Sequence, residues 1–187
     1  AGYFPQQGKI NVELNNEINT EIEDEVKELP MSLIQKRLVL HMLIEKSDPF
    51  DLVGATLVEG DIDVDKLEEA VNVIVQRHEI LRTSLHVEGE EFIQRIHPKV
   101  KLKIKEYFQQ DTADLNTYIN NCLMKFELAV APLIEVLLLH TFDGQEVLVF
   151  HTHHTISDGI SMGLLINEVA QVCNNNELSK VKMQYKD

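Results

Sequence analysis

The sequence has no tryptophan, two cysteines, and 17 basic residues against 31 acidic ones. The net charge of −14 argues against binding to nucleic acid or to an anionic membrane, because phosphate groups would be repelled. Cys122 and Cys173 each fall in a helical pattern, where isolated cysteines more often fill helix faces than form a disulfide or a metal site. No apolar run approaches the roughly 20 residues that a membrane helix needs, and no charged-then-apolar leader opens the chain. We therefore expect a soluble, cytoplasmic protein that binds neither membrane nor nucleic acid.

Two motifs that define particular chemistries are also missing. The sequence contains no G-x-x-x-x-G-K-[ST] phosphate loop, so we expect no nucleotide chemistry. Ser157 and Ser161 do not lie in a G-x-S-x-G elbow, so the sequence does not indicate a serine nucleophile.

Residues 1–29 differ in composition from the rest of the chain. Acidic residues alternate there with asparagines and a few isolated aliphatic residues: Glu13, Glu17, Glu21, Glu23, Asp24, Glu25 and Glu28. Such a composition predicts a solvated acidic linker or tail. A recognition tail for a partner is the alternative. Leu29-Pro30 marks the boundary to a folded unit over residues 30–187.

Hairpins and helices alternate after this boundary. Ser32 is predicted to cap a helix with apolar positions Leu33, Leu40, Leu43 and Ile44, and Asp63 to cap the most regularly patterned helix. A third helix is predicted from Asp111 to about Lys125, and a fourth over residues 160–173. Strands are predicted over residues 52–59, 81–87, 92–96, 101–108, 132–142 and 146–152. This order predicts an α/β (α+β) fold with a mixed, mostly antiparallel sheet covered by helices.

Three of the eight histidines lie where a predicted strand ends and a helix begins. The apolar run at 147–150 predicts a buried strand, and apolar residues recur at helical spacing from Met162 onward. Because neighbouring side chains of a strand point to opposite faces, His151 and His153 would share one face. His154 would point the other way or leave the strand. A single histidine presented in this way can act as a general base, since its ordinary pKa lies near neutral pH.

Two other interpretations of these histidines remain. A metal site is conceivable because His151, His153, His154 and Asp158 are all ligand types, but the adjacent histidines diverge and the chain lacks a second metal-like cluster. We therefore predict no bound metal. Alternatively, the histidines are hydrogen-bonded structural residues at a strand end, which explains His151 and His153 at least as well as a chemical role does.

Several segments together resemble a known family. Residues 153–159, H-H-T-I-S-D-G, match H-H-x-x-x-D-G, the signature of the condensation domains of nonribosomal peptide synthetases and of chloramphenicol acetyltransferase. Residues 77–85 resemble the second condensation motif, R-H-E-x-L-R-T-x-F, with Leu85 in place of Phe. Residues 32–38 resemble the first motif, S-x-A-Q-x-R-L, with Ile34 in place of Ala. The final three residues resemble the opening of the fourth motif, Y-x-D. The segment at 77–85, which the acetyltransferase does not carry, favours the condensation family.

The resemblance covers the chain from about residue 30 onward and implies a chloramphenicol-acetyltransferase-like fold. Condensation domains have two such lobes, with the active site in the channel between them. We therefore expect residues 30–187 to form the N-terminal lobe, with the C-terminal lobe absent and the isolated fragment inactive.

The resemblance also implies an acyltransferase activity of the longer parent protein. A condensation domain forms an amide bond between a carrier-bound acyl or peptidyl thioester and a carrier-bound aminoacyl acceptor. Its partners would be upstream and downstream peptidyl carrier domains and the adenylation domain of the same assembly line. Since this chain lacks a carrier domain's serine motif, the phosphopantetheine cofactor would come from the carriers. An epimerisation-type domain or a catalytically silent carrier-docking module remains an alternative.

By the same resemblance, His154 is the catalytic residue, acting either as a base or by positioning the attacking amine. Asp158 is expected to shape the loop by pairing with an arginine, and Gly159 to permit a tight turn and close approach of the substrate. The residues expected to support the active site are His153, Asp158, Gly159, Arg77 and Arg82.

Overall fold

The computed structural model describes residues 25–58, 60, 62–110 and 114–187. The strands in these ranges are β1 (Lys27–Pro30), β2 (Asp51–Val58), β3 (Thr83–Glu88), β4 (Glu91–Ile96), β5 (Lys105–Phe108), β6 (Ile134–His140) and β7 (Glu146–His153). The helices are α1 (Leu33–Glu45), α2 (Val64–Arg77), α3 (Leu115–Cys122) and α4 (Gly159–Cys173), with a 3₁₀ helix at Glu79–Arg82. None of these helices is long and apolar enough to cross a membrane.

The strands divide between two sheets. The larger sheet has the order β2-β7-β6-β5, in which only the β5–β6 pair is parallel. The smaller sheet is antiparallel, with the order β1-β4-β3. The predicted α/β class with mostly antiparallel strands is confirmed, whereas the single sheet that the prediction described is two sheets.

Strands β6 and β7 form the centre of the larger sheet and are buried on both faces. On one face, Val136 and Phe150 belong to the main core together with α2 and α4. On the other face, Leu137 and Val149 pack with Ile119 of α3. Each fully buried side chain of this size stabilises the fold by about 1.5–3 kcal/mol, so this sandwich fixes the position of the end of β7.

Helices α1 and α2 begin at the predicted caps. The Ser32 side chain accepts a hydrogen bond from the backbone of Gln35, whose own side chain bonds the Ser32 amide in return. Asp63 likewise caps α2 by accepting a hydrogen bond from the Lys66 amide. The apolar positions of α1 do not form its buried face, however: Leu33 and the other apolar positions named above are exposed, and Gln35 and Val39 are buried instead.

Two elements are shorter than predicted because side chains satisfy backbone groups that a strand or helix would use. The Leu102 amide donates to Asn72 of α2, and β5 begins only at Lys105. The Met124 amide donates to Glu135, and α3 has already ended at Cys122. Helix α3 is capped by Asp114. The predicted cap Asp111 lies outside the described residues.

Strand β1 crosses the boundary predicted at Leu29-Pro30, because Lys27 to Pro30 pair with β4. Residues 27–29 therefore belong to the smaller sheet rather than to a linker. Residues 1–24 lie outside the described ranges, and the division into a tail and a lobe stays a prediction.

Candidate active site

The end of β7 places the three histidines in different environments. Strand β7 runs between β2 and β6, and its last residue, His153, pairs with Asp51. The amide of the next residue, His154, donates a hydrogen bond to the carbonyl oxygen of Phe50 over 2.7 Å. The chain then leaves the sheet in a turn, which is closed by a hydrogen bond from the Ile156 amide to the carbonyl oxygen of His153. Helix α4 begins five residues after His154, so the turn lies between a rigid strand and a rigid helix.

His154 is exposed, and its ring is fixed at one nitrogen. Nδ1 lies 2.7 Å from the carbonyl oxygen of Ser157. Because a carbonyl can only accept, Nδ1 carries the proton of the neutral ring, and Nε2 is the nitrogen that can accept one. The turn itself thus sets the tautomer that a general base requires.

His154 lines an open pocket of about 390 Å³. The polar residues that line this pocket with His154 include His78, Ser157, Asp158 and Ser161. The remaining lining is mostly aliphatic and comes from α1, α4, the 3₁₀ helix and the C-terminal segment. A reactive group at Nε2 would therefore lie next to an apolar surface that can hold part of a substrate.

His153 is fully buried, and both its ring nitrogens are engaged. Nε2 donates to Asp48 Oδ1 over 3.0 Å. Nδ1 accepts from the Thr155 amide at 3.2 Å and lies 2.7 Å from the Thr155 hydroxyl. Because these bonds tie β7 to the turn and to the loop before β2, His153 holds the residue that follows it in place.

His151 is also buried and belongs to a second polar cluster behind the strand. Its Nδ1 lies 2.9 Å from Glu135 Oε1 on β6, and Lys105 Nζ lies 2.9 Å from the other oxygen of that carboxylate. Burial alone would raise the pKa of Glu135, but the hydrogen bonds from His151, Lys105 and the Met124 amide outweigh burial and hold that pKa below its ordinary value. These contacts link β5, β6 and β7 through side chains of all three strands.

Asp158 is the N-cap of α4. Its Oδ1 accepts both the amide and the hydroxyl hydrogen of Ser161, each over 2.7 Å. These two bonds, the amide first, hold the pKa of Asp158 below its ordinary value, so the group is a carboxylate at neutral pH.

The predicted pairing of Asp158 with an arginine is wrong. Arg77 lies 3.4 Å from Glu168 of α4 and donates to the carbonyl of Ser179. Arg82 is buried and donates to the carbonyls of Gln76, His97 and Pro98. A helix N-terminus offers unsatisfied amides and a positive dipole, and so it replaces the expected cation beside Asp158.

The conformational role predicted for Gly159 is also absent. Gly159 is the first residue of α4, and its φ is not in the left-handed region. A Cβ placed there would meet no atom within 4 Å. The open space above this residue remains compatible with the predicted approach of a substrate.

Within the described ranges, no group of three or more His, Cys, Asp or Glu side chains could hold a metal ion. His151 and His153 instead direct ring nitrogens towards the carboxylates of Glu135 and Asp48.

Sequence patterns did not identify the C-terminal segment as part of the pocket. Met183, Gln184 and Tyr185 line it, although only Tyr185 had a motif that singled it out. The Tyr185 hydroxyl lies 2.8 Å from Ser32 Oγ at the start of α1. The Gln184 side chain donates to the Arg77 carbonyl and accepts from the Glu79 amide. No periodic signal marks such a segment, since long-range hydrogen bonds hold it in place.

His78, which the sequence analysis quoted only as part of a motif, also lines the pocket. Its Nε2 lies 2.6 Å from Glu168 Oε2, the carboxylate that also contacts Arg77. The motif at 77–85 is therefore linked to the histidine turn in two ways. Its first two residues contact Glu168 of α4, the helix that follows the turn, and His78 lines the same pocket as His154.

The fold is that of solved condensation domains. The X-domain from teicoplanin biosynthesis superposes with a TM-score of 0.72 at 22% identity, covering 84% of this chain and 36% of that one. The starter condensation domain of rhizomide synthetase superposes with a TM-score of 0.69 at 18% identity, covering 84% of this chain and 42% of that one. These likenesses define a mixed α/β protein with the chloramphenicol-acetyltransferase-like fold.

The chain belongs to the condensation-domain family: the family model described as "Condensation domain" matches residues 25–187. Bacitracin synthase 2 of Bacillus licheniformis is 35% identical over 159 residues, which cover 84% of this chain and 6% of that protein. Surfactin synthase subunit 1 of Bacillus subtilis (strain 168) is 33% identical over 159 residues, covering 84% of this chain and 4% of that protein. The chain thus spans a small part of the length of the curated relatives that it matches.

Proposed function

We propose that residues 30–187 are the N-terminal lobe of a condensation domain, and that His154 is its catalytic residue. In the longer protein this domain would join a carrier-bound acyl or peptidyl thioester to a carrier-bound aminoacyl group by an amide bond. The observation that carries the proposal is the turn hydrogen bond on His154, which leaves Nε2 as proton acceptor beside the pocket. The family match over residues 25–187 supports the reaction class.

The reaction forms one C–N bond and breaks one C–S bond. The acceptor amine attacks the thioester carbonyl, and His154 Nε2 takes the proton that the nitrogen loses as the new bond forms. The protonated ring then gives this proton to the departing phosphopantetheine sulfur. An oriented base that takes and returns a proton in this way contributes typically 10²–10⁴-fold to a rate.

The supporting residues act by position. His153 anchors the residue before His154 through Asp48 and Thr155, and Asp158 fixes the start of α4. Arg82 joins the motif at 77–85 to the loop that follows β4. Holding a base and a nucleophile in a reactive geometry accounts for much of the acceleration that such sites provide.

The proposed partners follow from the same reaction. Upstream and downstream carrier domains would present phosphopantetheine thioesters, and an adenylation domain would load them. Because adenylation consumes ATP, we place the reaction in the cytoplasm. The similarity of this chain to bacitracin, gramicidin S and surfactin synthases supports an assembly line that makes a peptide product.

The test is amide formation by this chain extended through the rest of the condensation domain, supplied with loaded donor and acceptor carriers. Mass spectrometry of the acceptor carrier should detect the dipeptidyl or acyl-aminoacyl thioester. The 187 residues alone should form none. A change in the configuration of the donor residue without amide formation would indicate an epimerisation domain. Carrier binding without either product would indicate a docking module, and either result would contradict the proposal.

A further inference from the structure

Among the described residues that line the pocket beside His154 is an isoleucine that does not contribute to the packing of the fold. Ile34, in the first turn of α1, is 67% exposed and lines the pocket. Its neighbour Gln35 is buried and holds α1 in place through Ser32 and the carbonyl of Thr155. Helix α1 is therefore anchored without Ile34, and the apolar surface of Ile34 is available for contact with a ligand.

Two other exposed apolar side chains line the same pocket. Leu164 of α4 is 60% exposed and Met183 of the C-terminal segment is 73% exposed, and both line the same pocket as Ile34. Removal of apolar surface from water is favourable. A ligand group placed among these three side chains gains from contact if it is itself apolar.

Apart from His154, the ionisable side chains that line the pocket already have hydrogen-bond or ion-pair partners. His78 contacts Glu168, Asp158 Oδ1 accepts two hydrogen bonds from Ser161, and the Tyr185 hydroxyl contacts Ser32. No lysine or arginine is among the lining residues in the described part of the chain. A charged ligand group placed among Ile34, Leu164 and Met183 would lose hydration without gaining a charged partner from these three side chains.

We infer that the substrate group bound beside His154 is an uncharged, aliphatic side chain, and that Ile34 is a residue that determines its size. This inference rests on the proposed function, because it names the class of acyl or aminoacyl substrate that the site would accept. Ile34 stands at the motif position where Ala is usual. Because isoleucine is larger than alanine, it leaves less space in the pocket than an alanine at this position would.

The test is binding of stable amide analogues of aminoacyl pantetheine thioesters carrying glycine, leucine, glutamate or lysine. Calorimetry would use this chain extended through the rest of the condensation domain. The leucyl analogue should bind more tightly than the other three. Ile34→Ala should weaken leucyl binding about 10-fold and leave glycyl binding unchanged, as expected for the loss of a pocket contact with an aliphatic group. Ile34→Val should give an intermediate value.

Ile44→Ala is the matched control, because Ile44 is 72% exposed on the same helix but does not line the pocket. This variant should bind all four analogues as the parent does. Equal weakening of glycyl and leucyl binding in Ile34→Ala, tighter binding of the glutamyl or lysyl analogue, or no binding of any analogue would contradict the inference. Since binding is measured without turnover, the predicted binding pattern in a protein that forms no amide would contradict the proposed function alone. Amide formation without any preference for the leucyl analogue would contradict only the inference about Ile34.

Discussion

The Nδ1 atom of His154 lies 2.7 Å from the carbonyl oxygen of Ser157, three residues further along the same turn. A backbone group therefore fixes the tautomer of this ring without the help of a carboxylate. The adjacent His153 has the opposite arrangement, with its Nε2 hydrogen directed at Asp48 and Nδ1 accepting from Thr155. The two neighbouring histidines thus divide their roles: His153 is held inside the fold, and His154 faces the pocket.

His153→Ala should destabilise the fold, because it leaves buried polar groups of Thr155 without a partner. We expect the free energy of unfolding to fall by about 1–3 kcal/mol, the usual cost of such a group. Urea denaturation of the 187-residue chain would measure the change. His140→Ala, at the opposite end of the larger sheet, should change the stability by less, since its contacts with Glu106 and Glu146 are near the surface. An unchanged stability in His153→Ala would contradict the structural role.

Glu135→Gln should change how stability depends on pH. The folded state holds the pKa of Glu135 below its ordinary value of 4.5, so the folded protein binds this proton less tightly than the unfolded chain does. Its contribution to stability is therefore complete above about pH 4.5 and is lost as the pH falls through the folded pKa. Denaturation midpoints measured between pH 7 and pH 3 should fall more steeply for the parent than for Glu135→Gln.

Glu106→Gln is the control for this pH series, because Glu106 lies on the edge strand β5 and is exposed. Its profile should follow that of the parent. Identical profiles for Glu135→Gln and the parent would show that the buried cluster with His151 and Lys105 does not hold the carboxylate as described.

Asp158 should tolerate asparagine better than alanine if it acts as a helix cap. Asparagine can accept the Ser161 amide hydrogen, whereas alanine cannot, and loss of a cap costs about 0.5–2 kcal/mol. Asp158→Ala should therefore lower the free energy of unfolding by about that amount, and Asp158→Asn by less. In the longer protein, Asp158→Asn should retain most of the amide-forming activity. Complete loss of activity in a stable Asp158→Asn variant would show that the carboxylate takes part in the reaction.

Arg82→Lys should destabilise the fold although it preserves the charge. A lysine has one nitrogen and cannot reproduce the planar fork that bonds the carbonyls of Gln76, His97 and Pro98. We expect a loss of about 1–3 kcal/mol in urea denaturation, against little change for Arg37→Lys on the exposed side of α1. Combining Arg82→Lys with Asp158→Asn should give additive losses. A coupling energy above about 0.5 kcal/mol between the two substitutions would indicate that Arg82 and Asp158 interact, which would contradict the structure.

Local interactions made part of this fold predictable from sequence. Ser32 and Asp63 cap their helices through bonds that span only three residues, and the apolar spacing of α2 matches its buried face. The hairpin of β6 and β7 has its turn at Asp143-Gly144, a residue pair typical of such turns, with Gly144 at a φ of +81°. In each case the information lies within a few residues of the element that it determines.

Contacts between distant residues were not predictable in this way. The apolar pattern of α1 did not indicate that Gln35 would be buried against the turn at Thr155, 120 residues away. The composition of the motif at 77–85 gave no sign that Arg82 would bond carbonyls of the loop after β4. The division of the strands into two sheets likewise depends on pairings, such as β1 with β4, that no local pattern specifies.

The most direct test of the central claim is the rate of amide formation by a His154→Ala variant of the longer protein, measured in single turnover with loaded donor and acceptor carriers. Loss of an oriented general base predicts a fall of about 10²–10⁴-fold, with carrier binding and folding unchanged. His140→Ala, the control at the opposite end of the same sheet, should retain the parent rate. A His154→Ala variant that forms the amide at the parent rate would contradict the account.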